Sequence, residues 1–312
     1  MKAVVQSIRR RCVTATTVLA ILTAAAAASG AWEWPLSTFR VDAGFAQPRD
    51  GAITTAVWLS AQEPAVGAAH PGEVVFTRVE GEAVVDGTPH GYGNFVVLQH
   101  EDGLRSIYSN MGAVGATDAV EVEQGDTLGT VGVSGFAYGD QLGFHMIDEE
   151  LGRLVNPFVI LPPVDDGEPP VIQGVFLRRD DTTIPVSRET ELDAETTFDV
   201  FVEAYDTAET TSGTRRVPPK SITVTLGDGE PRSVSFDTME YVDGRFHPAG
   251  GRPVDTLYAA EGQIHVAELT IGTEAATLTV RVEDFAGNRT SAEYRILPRA
   301  TGTDDDGTAG SR

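Results

Sequence analysis

The sequence GYGNFVVLQHEDGLRSIYSN, residues 91–110, predicts a β-hairpin. Short segments rich in apolar and β-branched or aromatic residues lie on both sides of the central glycine, and such segments are typical of strands. Gly91, Gly93 and Gly103 mark the turns. Working outward, the same pattern predicts further short strands. They cover 72–79, 126–131 and 141–147, beside the hairpin strands at 95–100 and 105–110. No amphipathic helix of ordinary length is predicted after residue 31.

A second run of predicted strands follows a proline-rich segment, LPPVDDGEPP at 161–170. Four prolines and three acidic residues there exclude a helix or a central strand, so this segment is predicted to be a linker. Beyond it, short alternating segments suit a β-sandwich. They cover 171–177, 198–205, 221–226, 233–236, 264–271, 276–283 and 292–297. The expected fold is therefore all-β, with domains at 34–160 and 171–299.

The turn after the sixth of these segments reads VEDFAGN at 282–288. It resembles the D-x-A-G-N turn of bacterial immunoglobulin-like and fibronectin-like modules. The resemblance implies an immunoglobulin-like sandwich for 171–299. The tail at 300–312 is rich in glycine, aspartate and threonine, and it is expected to be disordered.

The amino-terminal segment 1–31 predicts a cleaved secretory signal. Basic residues precede an apolar stretch at 13–28, and small residues follow it. The apolar stretch is shorter than the ~20 residues that a transmembrane helix needs, which disfavours a membrane anchor. The mature protein is therefore expected in the periplasm or outside the cell, with no membrane span.

The chain is strongly acidic, with 46 acidic side chains against 23 basic ones and a formal net charge of −23. A field of this sign repels nucleic acid and anionic lipid, so neither is an expected partner. The single cysteine, Cys12, lies in the predicted signal. The mature protein is therefore expected to contain no disulfide.

Several blocks between about residue 50 and residue 157 resemble the lysostaphin/LytM-like zinc endopeptidases, which cut peptidoglycan cross-bridges. The similar blocks are YGNFVVLQH at 92–100, VEQGDTLGTVG at 122–132, GDQLGF at 139–144 and VNP at 155–157. Each block alone is a weak signal, but their order and spacing together are specific. The resemblance implies the duplicated hybrid motif fold, in which a sheet forms the floor of an elongated groove.

The resemblance also implies where zinc and the catalytic groups would lie. Family members supply a His, an Asp four residues later and one His of a His-x-His pair. These three side chains bind the metal and leave one position for water. The other His of the pair and a His in a Y-x-H-[LM] segment manage the proton and the developing oxyanion.

This chain departs from the family at every one of those positions. Thr54 and Trp58 replace the first His and the Asp, and Asn110 replaces the His of the Y-x-H segment. Gln141 and Gly143 stand where the His-x-His pair belongs. These residues are not ordinary zinc ligands, and neutral amides cannot act as bases near neutral pH. The sequence therefore predicts no catalytic residues and no cofactor.

An alternative register leaves one candidate ligand. Shifting the last strand by two residues places His145 at the third ligand position, on the same strand face as 141 and 143. One imidazole does not hold a catalytic zinc, so His145 is only a weak metal candidate. The residues expected to line a binding groove are Trp58, Asn110, Gln141 and His145.

A groove that has lost its metal can still bind, because fold and function are separable. Several degenerate LytM-like proteins activate cell-wall amidases or act as envelope scaffolds. The leading hypothesis is therefore an exported envelope protein that binds an amidase or peptidoglycan. One alternative is a residually active zinc peptidoglycan endopeptidase that uses His145, with zinc as its cofactor. Another is a purely structural pair of extracellular β-modules.

Overall fold

The computed structural model describes residues 31–49, 51–79, 91–116, 120–210, 213–259 and 262–299. The predicted signal, apart from Ala31, and the predicted disordered tail lie outside these residues. The described chain is nearly all β, which confirms the predicted fold class. Its helices are single turns, and none of those described has the length and apolar character that crossing a membrane requires.

The described residues before the proline-rich segment form twelve strands and one helical turn. The strands are β1 (Arg40–Ala43), β2 (Pro48–Arg49), β3 (Ala52–Ile53), β4 (Val57–Ser60), β5 (Ala65–Gly67), β6 (Gly72–Arg78), β7 (Asn94–Gln99), β8 (Leu104–Val114), β9 (Glu121–Val122), β10 (Thr127–Val131), β11 (Leu142–Asp148) and β12 (Arg153–Val155); the helical turn is α1 (Pro157–Ile160).

Strands β7 and β8 form the predicted antiparallel hairpin. Val96 and Leu98 of β7 are fully buried, so burial of apolar surface holds this strand in the sheet. Tyr108 of β8 is also fully buried, and its hydroxyl accepts the backbone N–H of Ala69 at 2.8 Å. Burial raises the pKa of Tyr108 to about 12. A buried phenol with a satisfied hydroxyl makes this tyrosine a core residue.

In the second part, the residues that the structure describes form eleven strands and one helical turn. They are β13 (Val171–Arg179), β14 (Thr182–Pro185), β15 (Glu189–Asp193), β16 (Thr197–Thr210), β17 (Gly213–Val217), β18 (Ser221–Leu226), β19 (Arg232–Val242), β20 (Arg245–Ala249), α2 (Val254–Leu257), β21 (Ile264–Thr270), β22 (Ala276–Glu283) and β23 (Arg289–Arg299). Strands β14, β13, β16 and β17 form one sheet with β21 beside β16. An immunoglobulin-type sandwich stays a prediction for this part.

One large sheet runs through both parts of the chain. Its strands follow the order β15, β23, β22, β18, β19, β12, β11, β8, β7, β6 and β9. The junction is the antiparallel pair β12–β19, in which Val155 lies opposite Thr238. Asn156 extends this junction, because its N–H donates to the carbonyl of Asp237 and its amide donates to that of Phe236. The two parts are therefore joined by main-chain hydrogen bonds.

The proline-rich segment 161–170 forms neither strand nor helix. Trp34 holds its start by donating an indole N–H to the carbonyl of Pro162 at 2.9 Å. Nearby, Phe158 stacks on Phe285, with ring centroids 5.4 Å apart. The first contact holds the segment against the first part of the chain, and the second joins the two parts beside it. The described residues from Ala31 onward form one compact unit.

Candidate functional site

Three neighbouring strands bring most of the predicted positions together. In the paired strands, Gly143 of β11 lies opposite Trp58 of β4 on one side and Ser109 of β8 on the other. Residues paired in this way point to the same face of a sheet, and His145 follows two residues later on that face. Trp58, Ser109, Gly143 and His145 are named the groove floor below.

Thr54 lies in the turn before β4 and is 7% exposed. Its hydroxyl donates to the carbonyl of Gly44 at 2.5 Å and accepts the N–H of Gln47 at 3.0 Å. Its backbone also exchanges hydrogen bonds with Ala46 and Gln47. The side chain therefore closes a local turn and has no hydrogen left to offer a ligand.

Arg49 places a permanent positive charge over two of the predicted positions. Its guanidinium carbon lies 4.7 Å from the ring centroid of Trp58 and 4.6 Å from that of Tyr138. Both distances are within the range of cation–π attraction. The same guanidinium donates to Oε1 of Gln141 at 3.2 Å. Arg49 thus contacts the residues at the expected Asp position and at one expected His position.

Gln141 completes this polar contact from the other side. Its amide nitrogen donates to a carboxylate oxygen of Asp42 at 2.6 Å while its carbonyl oxygen accepts from Arg49. The amide therefore bridges an acidic and a basic side chain. A bridge of this kind fixes the orientation of Gln141, because each end of the amide matches only one of the two charges.

Gly143 is held against Ser109 so closely that a larger residue does not fit. A Cβ atom on Gly143 would lie 2.4 Å from Ser109 Oγ and 3.2 Å from Asn110 Oδ1. Contacts under about 3 Å between such atoms are strongly repulsive, and neighbouring atoms must move to relieve them. The Ser109 hydroxyl lies within hydrogen-bonding distance of the Gly143 carbonyl, at 2.9 Å. A histidine at 143 would require this hydroxyl to move.

Asn110 adopts a left-handed backbone conformation, with φ of 63°. Asparagine tolerates this region better than most residues. Its amide donates to the carbonyls of Ser134 at 2.8 Å and Gly91 at 3.1 Å, which ties two loops to β8. Asn110 is 1% exposed, so it supports the floor from beneath and offers no surface to a ligand.

His145 is also buried, at 3% exposure. Its Nε2 lies 3.2 Å from Ser109 Oγ and its Nδ1 lies 3.4 Å from Thr55 Oγ1. The ring of Tyr92 packs against it at 4.8 Å between centroids. Burial lowers the pKa of His145 from 6.5 to about 4, and a hydrogen bond with Thr55 opposes this effect. The imidazole is therefore neutral near pH 7.

The residues at the expected positions do not fit a zinc ion. Thr54 is engaged with Gly44, Gly143 has no donor atom, and a guanidinium contacts Trp58 and Gln141. A zinc site needs three ligands and an open position. In the described part of the chain, a single group of three His, Cys, Asp or Glu side chains lies close enough to share a metal ion. No groove-floor residue belongs to that group.

Aromatic side chains extend outward from the groove floor. Tyr92 packs between His145 and Phe95, and Phe95 stacks on Phe76 with centroids 5.4 Å apart. Phe76 is 53% exposed and Tyr138 is 67% exposed. Exposed aromatic rings offer flat surfaces on which an apolar or planar group can stack.

Sequence reasoning did not single out Arg49, Asp42 or Ser109. No motif marks them, because the chain brings them to the floor from β2, from β1 and from the central strand β8. Ser109 could have been found from strand pairing, since it lies opposite Gly143 once β8 and β11 are known to be neighbours.

Comparison with protein families gives two matches along the chain. Residues 55–157 match the model of Peptidase family M23. A second family model, which has no descriptive name, matches residues 169–297.

The similar curated proteins include a cell division protein, a lipoprotein and a peptidase. The cell division protein DipM of Caulobacter vibrioides is 29% identical over 44% of this chain and 22% of its own length. Lipoprotein NlpD of Yersinia enterocolitica is 28% identical over 29% of this chain and 92% of its own length. The DD-carboxypeptidase/endopeptidase Mpg of Neisseria meningitidis is 29% identical over 32% of this chain and 22% of its own length. For DipM and Mpg, the match spans less than a quarter of the relative.

Two solved peptidase structures are similar to part of the chain. A mutant catalytic domain of the prophage-encoded M23 protein EnpA from Enterococcus faecalis is 25% identical, with a TM-score of 0.34, over 41% of this chain and 96% of that domain. The catalytic domain of lysostaphin from Staphylococcus simulans is 17% identical, with a TM-score of 0.32, over 39% of this chain and 88% of that domain.

Proposed function

We propose that the protein is an exported envelope component that acts in peptidoglycan metabolism by binding a ligand and does not hydrolyse it. The proposal starts from residues 55–157, which form an M23 domain of the LytM type. Its groove would hold an extended peptide or glycan strand, or a partner such as a cell-wall amidase. The similarity to envelope and division proteins supports a site of action outside the cytoplasmic membrane.

The position of Arg49 is the observation that carries this proposal. A guanidinium keeps its charge at all relevant pH values. It lies against Trp58 and Gln141, which stand where an Asp and a His would bind zinc. A second cation placed there would meet a like charge at a few ångströms, and partial burial would reduce the screening by water. The guanidinium therefore disfavours a zinc ion at these two positions.

The groove floor supports the same conclusion at the third position where the family binds zinc. Gly143 supplies no side chain, and His145 is buried with both ring nitrogens near hydroxyl groups. The alternative, a zinc endopeptidase built on His145, would need this ring to leave Ser109 and Thr55. It would also need two further ligands beside a guanidinium.

Exposed aromatic rings beside Arg49 are suited to binding. Tyr138 is 67% exposed and also packs on the guanidinium, and Phe136 two residues earlier is 65% exposed. Exposed rings can cover the apolar atoms of a peptide stem or the face of a sugar. Peptidoglycan offers both surfaces. It is therefore the first ligand to test, and an amidase is the second.

Zinc analysis separates this function from the hydrolytic one. The full mature chain is loaded with excess zinc, dialysed, and measured by elemental analysis. Well under one zinc per chain is expected, and digestion of purified peptidoglycan should release no more muropeptide than buffer alone. One zinc per chain that His145→Ala removes, together with muropeptide release that a chelator stops, would establish the hydrolase instead.

Binding is tested by sedimentation with purified peptidoglycan. Tyr138→Ala is expected to weaken binding about tenfold, the usual cost of losing a central aromatic contact. Tyr241→Ala is the matched control, because Tyr241 is 62% exposed and lies on β19 in the second part of the chain. Equal affinity of both variants would show that the groove is not the binding surface. If the unmodified chain does not sediment with peptidoglycan but captures a purified amidase, the ligand of the groove is a protein partner.

A further inference from the structure

A cluster of three aspartates lies away from the groove floor, where three segments of the chain meet. Asp166 belongs to the proline-rich segment, Asp206 to β16, and Asp284 to the turn after β22. One carboxylate oxygen from each lies within 4.8 Å of the other two. Carboxylates this close together repel one another when they are ionised, and a cation bound between them relieves this repulsion.

Each of these carboxylates has one oxygen already fixed by the backbone. Asp166 Oδ1 accepts the N–H of Glu168 at 2.9 Å, and Asp206 Oδ1 accepts that of Thr207 at 2.8 Å. Asp284 Oδ1 accepts the N–H of Asn288 at 2.8 Å. These bonds set the orientation of all three side chains and leave the second oxygen of each for another ligand.

The second oxygen of Asp284 is the strongest single indication of a bound ion. Asp284 is 0% exposed, and its Oδ2 is buried without a hydrogen-bond partner among the described residues. A buried, ionised oxygen without a partner is costly, and native structures pair such atoms or use them to coordinate metals. Within the described chain, no lysine or arginine forms an ion pair with any of the three aspartates.

We propose that Asp166, Asp206 and Asp284 form a calcium site that fastens the proline-rich segment to the second part of the chain. All three ligands are hard carboxylate oxygens, which suit Ca²⁺ and not zinc. Oxygens bound to one Ca²⁺ at ~2.4 Å can be at most about 4.8 Å apart, and the observed cluster meets this limit. Water or backbone carbonyls would complete the shell. A cavity of about 490 Å³, lined in part by Asp166 and Asp206, gives access.

The surroundings show what the ion would hold together. Asn288 donates its side-chain N–H to the carbonyl of Asp166 at 3.0 Å, and Thr290 donates to that of Pro170. Phe285, next to Asp284, stacks on Phe158 of helical turn α1, which directly follows the M23 match. A cation bound here would link the segment 161–170 to both neighbours, and so fix the M23 domain relative to the rest of the chain.

Calorimetric titration of the chelator-treated mature chain with CaCl₂ tests this proposal. One Ca²⁺ per chain is expected, and Asp284→Asn should lower the affinity by more than ~10-fold. Asp237→Asn is the matched control, because Asp237 also carries a buried oxygen without a partner but lies outside the cluster. If Asp284→Asn does not fold, Asp166→Asn, in a segment without helix or strand, takes its place.

The location of binding is read by hydrogen exchange. Ca²⁺ should slow exchange of the backbone amides at 164–168 and 284–288, and it should raise the unfolding temperature of the unmodified chain but not of Asp284→Asn. The proposal is overturned if Ca²⁺ has no effect up to about 10 mM, well above the weakest calcium modules. It is also overturned if Mg²⁺ binds equally well, or if Asp284→Asn and Asp237→Asn respond to Ca²⁺ alike.

Discussion

Acid should destabilise this protein through His145, and the size of the effect follows from its burial. The pKa of His145 is lowered to about 4 in the folded chain, against 6.5 for an ordinary histidine. The folded state therefore binds fewer protons than the unfolded state between these values. The neutral ring contributes fully to the free energy of unfolding above pH 6.5, and this contribution is lost as the pH falls through 4.

The magnitude can be worked out from the same shift. A difference of about 2.5 pKa units, at 1.36 kcal/mol per unit, gives a loss of about 3 kcal/mol in the free energy of unfolding between pH 7 and pH 4. Carboxylates titrate over the same range, so the histidine must be isolated by difference. His145→Gln keeps a neutral polar side chain at this position and does not titrate.

The assay is urea unfolding of both proteins at several pH values from 7 to 4. The advantage of the unmodified chain over His145→Gln should shrink by about 3 kcal/mol as the pH falls. Equal m-values for the two proteins would show that the difference lies in stability. A difference between the two proteins that stays constant with pH would refute the reasoning, because it would mean that the imidazole is protonated as easily in the fold as in water.

Two further substitutions test the packing beneath the groove. Gly143→Ala is expected to lower the free energy of unfolding by about 1–3 kcal/mol, because the new Cβ would lie 2.4 Å from Ser109 Oγ. Adding Ser109→Ala should restore most of this loss, and an unchanged urea midpoint in the single variant would contradict the contact. Asn110→Ala should cost about 1 kcal/mol more than Asn110→Gly, because φ is 63° and only glycine adopts it without strain. Both variants lose the same amide hydrogen bonds, so equal midpoints would count against the backbone argument.

Local alternation of side chains was sufficient to predict the central strands. The strand predicted at 141–147 is present as Leu142–Asp148, and those predicted at 221–226 and 276–283 have these bounds in the structure. The short strand Val57–Ser60 was not predicted. It is only four residues long and mostly buried, so it lacks an alternating pattern.

The positions of the candidate site were predicted, but their surroundings were not. Trp58, Asn110 and Gly143 lie on the neighbouring strands β4, β8 and β11, and the M23 domain is confirmed. The burial of Asn110 and His145 was not foreseen, since both were expected to line the groove. Loops from other parts of the chain cover Asn110, and Tyr92 packs on His145.

The sequence by itself determined the strand pattern, the M23 domain and the residue types at each expected ligand position, because these depend on neighbours along the chain. Only the tertiary structure decided which side chains surround those positions. Arg49 meets Trp58 and Gln141 through strand pairing and turns, and Asp166, Asp206 and Asp284 meet across more than a hundred residues. Charge interactions act over a few ångströms of space regardless of separation along the chain, so folding alone brings these groups within reach of one another.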